Sequence, residues 1–315
     1  MSASTQEKFL EIKGQAAFEL AGSPMFDCYS MGDAYRQLSV ESGLNFPTVI
    51  ALLDRMPTFL NGAAHRRKRS DLARRYAARS GAIETNLRLG IAEIAADIQA
   101  TDGMYDVLDG LARPLWRAVA DALLPEALPY SPEFDILPAL FTPHTSLRKR
   151  TRGEALLRDL TERHGADILD DLALITLGAR PFVNAFAFSV HAVVQRQPGQ
   201  RLRDMDYPEH FPMSGLRYVD RITTRDETID DIPVPQGTRV RCVIIDETYT
   251  SEQNARNLFG MGAHLCIGRR ASVVGWQWRC AALAECPHTA APGPLVVQSA
   301  EPFENVIQSQ ISIKP

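Results

Sequence analysis

Residues 167–196 constrain this chain more than any other stretch. They carry apolar side chains on nearly every helical face. A helix apolar all round is stable only when it is buried, in a protein core or in lipid. Its most apolar part, 172–194, is interrupted by Arg180, Asn184 and His191. No uncharged run therefore reaches the roughly 18–20 residues that cross a bilayer. The segment predicts a helix through the middle of a soluble domain, with no membrane anchor.

The rest of the chain reads as elements wrapped around that helix. Segments 4–20, 31–42, 63–79, 82–99, 103–123 and 144–163 mix apolar and charged residues at helical spacing. Gly22-Ser23-Pro24 and Ala127-Leu128-Pro129 punctuate them. After Pro208 the texture changes to short β-branched runs, Tyr218–Thr223, Thr228–Ile232 and Thr238–Ile245, with a turn at Pro235-Gln236-Gly237. An apolar helix over about 268–284 follows, with closing strands at Leu295–Val297 and Val306–Ile313. The predicted class is mainly α with small β-sheets, in a single domain over residues 1–315. Lys and Arg number 34 against 38 Asp and Glu, a net charge of −4, which argues against general nucleic-acid binding. The five cysteines are odd in number and form no CxxC pair, and no secretory signal pattern opens the chain. A reducing, cytoplasmic setting is expected.

The chemistry concentrates between Phe259 and Gly268. Cys266 has Gly262 four residues before it, Gly268 two after it, His264 at −2 and Phe259 at −7, with a further glycine at Gly260. Glycines let a backbone bend tightly and approach a flat ligand. The cysteine falls where the next helix begins, and a helix N-terminus favours thiolate. An inert cysteine in a structural glycine-rich loop is the alternative reading.

This loop resembles the haem-binding loop of the cytochrome P450s, fitting F-x-x-G-x-[HR]-x-C-x-G at every fixed position. The resemblance implies a cytochrome P450-like fold that binds haem b, with Cys266 as the axial iron ligand. It places Phe259 near the sulfur and His264 at a haem propionate. His65 and Arg69 resemble the family's H-x-x-x-R element, and residues four apart on a helix share a face; a solvated basic helix is the alternative. Arg221, in the stretch before Pro235-Gln236-Gly237, resembles the arginine for the second propionate, with Arg217 and Arg225 as competitors.

The chain also departs from that family. Only 22 residues lead from Gly237 to Phe259, so most of the family's meander is expected to be missing. The region before His65 is brief and reads without strands, so a reduced N-terminal sheet is expected. The E-x-x-R pair is broken in either register, with Glu209 meeting Pro212 or Ser214 meeting Arg217.

In the apolar helix, the family's acid–alcohol pair for proton delivery is replaced by Arg180, Pro181 and Phe182. The Arg-Pro step resembles P450 peroxygenases of fatty acids. In those enzymes the Arg binds a substrate carboxylate that serves as acid–base for peroxide. On this reading Arg180 is catalytic and substrate-binding, and Phe182 and Asn184 line the substrate pocket. The alternative starts a helix near 180 and pairs Arg180 with Asp170, Asp171 or solvent. The expected function is peroxide-dependent oxidation of a carboxylate-bearing small molecule. Three other uses stay open: a dioxygen-dependent monooxygenase with a redox partner, an isomerase or dehydratase, and a haem sensor or accessory subunit.

Overall fold

The computed structural model describes residues 10–23, 25–142, 145–213, 215–229, 231–245, 253–254, 257–260, 262–300 and 303–315. The first third opens with strand β1 (Leu10–Ile12), helix α1 (Gly14–Gly22) and strand β2 (Phe26–Cys28). Helices α2 (Met31–Ser42), α3 (Pro47–Leu53), α4 (Gly62–Ala78) and α5 (Ser80–Ala100) follow. Strand β3 (Gly103–Asp106) leads through a π-helical turn, Leu108–Ala112, into α6 (Arg113–Leu123). Then come α7 (Leu147–His164) and α8 (Ile168–Arg196). The last third holds β4 (Tyr218–Thr223), β5 (Glu227–Ile229), β6 (Ile232–Val234) and β7 (Arg239–Val243). It closes with α9 (Arg269–Leu283), β8 (Thr289–Ala300) and β9 (Phe303–Lys314).

The apolar segment is one continuous helix, and it is the axis of the molecule. Leu172, Ala173, Phe186 and Ala187 are wholly buried against the surrounding elements. By length and composition α8 could cross a membrane, yet most of its apolar window is buried inside the protein. Each fully buried Leu, Ile or Phe contributes roughly 1.5–3 kcal/mol, so the helix organises the core through burial. Its N-terminal turn is fastened electrostatically. Asp170 pairs with Arg55 at 3.3 Å, Lys68 at 3.1 Å and Arg75 at 3.5 Å, and Asp171 pairs with Arg75 at 3.4 Å. Carboxylates at a helix N-terminus are favoured by the helix dipole. The reading that Arg180 pairs with these aspartates is therefore overturned, and so is a helix start near 180, because Pro181 lies inside α8.

The sheets correct the expectation about the N-terminal region. A four-stranded sheet runs β1-β7-β4-β2, with β1 parallel to β7 and β2 antiparallel to β4. The N-terminal strands thus exist, at three residues each. A second small core lies under this sheet, with Ala17, Phe18, Val240 and Cys242 buried in it. A three-stranded sheet, β3-β9-β8, packs beside α8. The first four residues of the predicted 103–123 helix are its edge strand, with Tyr105 opposite Ile311. Residues 4–9 of the predicted first helix lie outside the described residues. Among the described residues between 205 and 217 there is no helix. Glu209 and Arg217 are exposed, Arg217 pairing with Glu304 at 2.6 Å, while Ser214 lies outside the described residues. Among the described residues the E-x-x-R pair is therefore not formed in either register.

Candidate functional site

A cavity of about 420 Å³ lies between α8, α4 and the loop before α9. The loop's shape follows from its glycines. The Cys266 amide donates to the Phe259 carbonyl at 2.8 Å, folding the segment back on itself. Gly260 (φ 66°) and Gly262 (φ 55°) sit in the left-handed region that this reversal requires. A Cβ on Gly260 would lie 3.2 Å from the His264 carbonyl oxygen.

Cys266 lines the cavity, and its sulfur is open to it although the residue sits deep in the molecule. At the start of α9 the main-chain amides of Gly268 and Arg269 favour the thiolate of Cys266, and the Arg269 amide donates to the Cys266 carbonyl at 3.4 Å. Sequence reasoning expects that helix terminus to lower the thiol pKa. Those amides and Arg69 do act in that direction, but burial against the apolar wall outweighs them, and the thiol stands above its ordinary value.

Helix α4 runs along this loop with one face turned to it. His65, Arg69, Leu72 and Tyr76 recur at helical spacing. The His65 ring meets the His264 ring at 4.3 Å between centroids. Arg69 Nη2 donates to the Leu265 carbonyl. Arg69, Leu72 and Tyr76 line the cavity, whereas His65 and Gly262 stand behind its wall. The Tyr76 hydroxyl is buried without a hydrogen-bond partner. Burial first, then the Cys266 thiol, pushes it up to about 12, so it keeps its proton.

One pole of the cavity is electropositive. Arg221 donates to the Ala21 carbonyl from Nε at 3.0 Å and from Nη2 at 2.7 Å. Together with Arg69 and His264 it lines the wall. Neither guanidinium has a carboxylate partner among the described residues. Burial, then Arg221, His65 and Arg69, pushes His264 down to about 4, leaving it neutral. Its Nε2 lies 3.7 Å from Cys28 Sγ. Of the two competitors for Arg221's place, Arg217 is the exposed partner of Glu304 and Arg225 the exposed partner of Glu227. Buried His65 Nε2 and Asn257 Oδ1 also lack partners. Two guanidiniums without carboxylates, set beside an open thiol, suit a flat group bearing two carboxylates and a thiolate-ligated metal. Haem fits these residues.

The opposite wall is α8. Gly178, Arg180, Pro181 and Phe182 line the cavity. A Cβ on Gly178 would lie 2.4 Å from Trp116 Cη2, so only glycine admits the indole against the helix. Trp116 continues to Phe182 at 5.4 Å between centroids. Arg180 is half-buried, and burial pushes its guanidinium below its ordinary value. Its hydrogen bond goes from Nη1 to Thr142 Oγ1 at 2.7 Å, and it has no carboxylate partner among the described residues.

Asn184 is a correction, because it does not reach the cavity. Its Oδ1 accepts from the Val306 amide at 3.1 Å, and its Nδ2 donates to Asn305 Oδ1 at 3.2 Å, tying α8 to β9. Phe186 and Phe188 are core. His210 is exposed, His288 is half-buried with its Nε2 2.7 Å from the Gln99 carbonyl oxygen, and His191 is buried, while His144 lies outside the described residues. Sequence reasoning missed Thr142, Trp116 and Tyr76. Tyr76 alone left a signal, seven residues beyond Arg69 on the same helical face.

No family model matches the chain, and no curated protein does. Solved structures do match over most of its length. One is P450BioI in complex with an acyl carrier protein ligated to hexadec-9Z-enoic acid. It matches at 15% identity and a TM-score of 0.73, covering 94% of this chain and 89% of that one. The versatile cytochrome P450 CYP109B1 from Bacillus subtilis matches at 14% identity and a TM-score of 0.68, covering 96% and 92%. The tirandamycin C-bound P450 monooxygenase TamI matches at 17% identity and a TM-score of 0.67, covering 96% and 89%.

Proposed function

Taking as premise that the chain has the cytochrome P450 fold, we propose that it is a haem-thiolate oxidoreductase. Its substrate is a carboxylate-bearing small molecule and its oxidant hydrogen peroxide. The observation that carries this reading is Arg180, a half-buried guanidinium on the cavity wall with a threonine hydroxyl and, among the described residues, no carboxylate as partner. A buried charge without a counter-ion costs several kcal/mol. A guanidinium cannot shed that cost by losing its proton. A bound carboxylate supplies the counter-ion.

Haem b held through Cys266 supplies the oxidising chemistry, its thiolate favouring O–O cleavage. Arg69 and Arg221, with His264 between them, hold its carboxylates at the electropositive pole. His65 backs that pole by stacking on His264. Phe259, Gly260 and Gly268 form the wall on the sulfur side, and Gly262 sets its bend. Opposite, Arg180 binds and orients the substrate carboxylate. Pro181 and Phe182 have no side-chain proton to move, so the carboxylate on Arg180 takes the acid–base role. Phe182 and Trp116 exclude water from the space between. Peroxide carries both oxidising equivalents: a C–H bond becomes C–OH and one water leaves, so no reductase takes part.

A second reading keeps the same residues and uses dioxygen with a redox partner, Thr142 supplying the missing alcohol beside Arg180. The similar structure that holds an acyl carrier protein suggests a further source of substrate, an acyl chain delivered on a carrier. All five cysteines are free, which suits the reducing cytoplasm. The test is turnover of carboxylic acids by the haem-loaded protein. Product with peroxide alone supports the proposal. Product with NAD(P)H and a redox partner, and none with peroxide, supports the second reading instead. Isomerisation without either oxidant, or haem binding without turnover, would move the assignment to the isomerase or sensor uses of the fold.

A further inference from the structure

Arg180 is held by a hydroxyl from an irregular stretch of chain, and a second guanidinium, which the proposed function does not use, grips that stretch from behind. Thr142 Oγ1 accepts from Arg180 Nη1 at 2.7 Å. Phe141, beside it, lines the cavity and meets the Phe59 ring at 5.7 Å between centroids. Neither Phe141 nor Thr142 lies in a helix or strand, so the carbonyls around them need donors from elsewhere. Arg150, near the start of α7, supplies them. Its Nε donates to the Thr145 carbonyl at 3.0 Å, its Nη1 to the Leu140 carbonyl at 3.2 Å and its Nη2 to the Thr142 carbonyl at 3.1 Å. Arg150 is buried and does not line the cavity. Tyr35 of α2 completes the brace. Its hydroxyl donates to the Leu140 carbonyl at 2.6 Å, and its ring centre lies 4.9 Å from Arg150 Cζ. A Cβ on Gly153 would lie 2.6 Å from Leu140 Cδ2, so glycine there lets α7 take the segment close against it.

We infer that Arg150 is a positioning residue for Arg180, acting through Thr142. The inference rests on the reading of Arg180 as the partner of the substrate carboxylate. Arg150 Nη2 fixes the Thr142 main chain, the Thr142 side chain fixes Arg180 Nη1, and every link is a hydrogen bond of ordinary length. The Thr142 hydroxyl turns its hydrogen toward the Pro138 carbonyl at 3.5 Å, which leaves a lone pair for Arg180. With Nη1 engaged, Arg180 keeps Nε and Nη2 free, adjacent donors that match the two oxygens of one carboxylate. A guanidinium already fixed binds without the cost of ordering a long side chain. The brace itself calls for arginine. A planar fork spreads its donors over three carbonyls, whereas the lysine ammonium is a single point.

The test measures dissociation constants of octanoic acid and methyl octanoate for the haem-loaded full chain, by titration of the Soret band. Arg150→Lys keeps the charge and gives up the fork. It is expected to weaken the acid about three- to tenfold, the cost of ordering one long side chain on binding, and to leave the ester unchanged. Unchanged acid affinity, or equal weakening of acid and ester, would overturn the inference and leave the role of Arg180 standing. Thr142→Val keeps the carbonyls that Arg150 grips and cuts the last link. It should show the same acid-selective loss whether or not Arg150→Lys folds, and Thr142→Ser should restore the affinity. Full acid selectivity in Thr142→Val would overturn the inference by itself. Because the two residues act in series, the double variant should lose no more than the larger single loss; additive losses would show that Arg150 does not act through Thr142. A wild-type protein that binds the acid no better than the ester would overturn the reading of Arg180, and the inference with it.

Discussion

Replacing Arg180 by leucine is expected to move stability and ligand affinity in opposite directions. In the unliganded protein the guanidinium is half-buried, is penalised by burial, and is offset by one neutral hydroxyl, Thr142 Oγ1 at 2.7 Å. Leucine removes that burden and adds apolar contact with Phe182 and Trp116. Replacing a poorly compensated charge by a packed apolar side chain is neutral or stabilising, by roughly 1–3 kcal/mol. For a chain of this size that is a rise in melting temperature of about 2 °C per kcal/mol. The same change deletes the carboxylate's partner. A hydrogen bond to a charged group contributes about 1.5–3 kcal/mol, so the dissociation constant of a carboxylic acid should rise about 10- to 150-fold. Methyl esters should bind both proteins alike. The assays are a haem absorption titration, read at the Soret band, and a thermal melt of the unliganded protein. A variant that melts several degrees lower and still binds acids better than esters would refute the reasoning, since Arg180 would then be a structural residue.

Two further substitutions separate the site from its scaffold. Asn184→Leu leaves the buried Val306 amide without its acceptor and should cost about 1–3 kcal/mol in denaturant unfolding, with acid affinity unchanged; weakened acid binding at full stability would return Asn184 to the substrate pocket. Arg221→Ala should lower haem retention during gel filtration, whereas Arg217→Ala, which breaks an exposed pair worth at most about 1 kcal/mol, should leave it intact. Equal losses in both variants would undo the assignment of the electropositive pole.

Elements that carry their own period were legible in the sequence. Residues 31–42 are α2 to the residue, Tyr218–Thr223 are β4, and the apolar segment is α8 within a residue. Elements whose reason lies elsewhere in the chain were not. Strands β1 and β2 are three residues long and exist because β7 and β4 offer them edges. No alternation can be read from three residues. Gly103–Asp106 continues a helical pattern on paper but meets β9 in space. The site divides in the same way. The cysteine loop was legible because its spacing is local. Asn184 sits one helical turn from Arg180 and looks like its neighbour, but the Val306 amide, 122 residues away, turns it from the cavity. Thr142 becomes relevant only once the chain before α7 is folded over α8.

At about 1.5 Å per residue the 29 residues of α8 span roughly 44 Å. Two points on that rod are held by different means, its first turn by ion pairs at Asp170 and Asp171 and its middle by the contact with β9 at Asn184. Between them lies most of the helix face that lines the cavity, including Leu177, Gly178, Arg180, Pro181 and Phe182, while Ala185 lines it just beyond. Proline has no amide hydrogen, so Pro181 leaves the Leu177 carbonyl without its helical donor and loosens the rod at that stretch alone. Leu177–Phe182 is thus a replaceable cassette between two fixed anchors. A lineage can rewrite those residues, Gly178 excepted because the Trp116 indole fills the space beside it, and with them the compound accepted, while the anchors keep the protein folded.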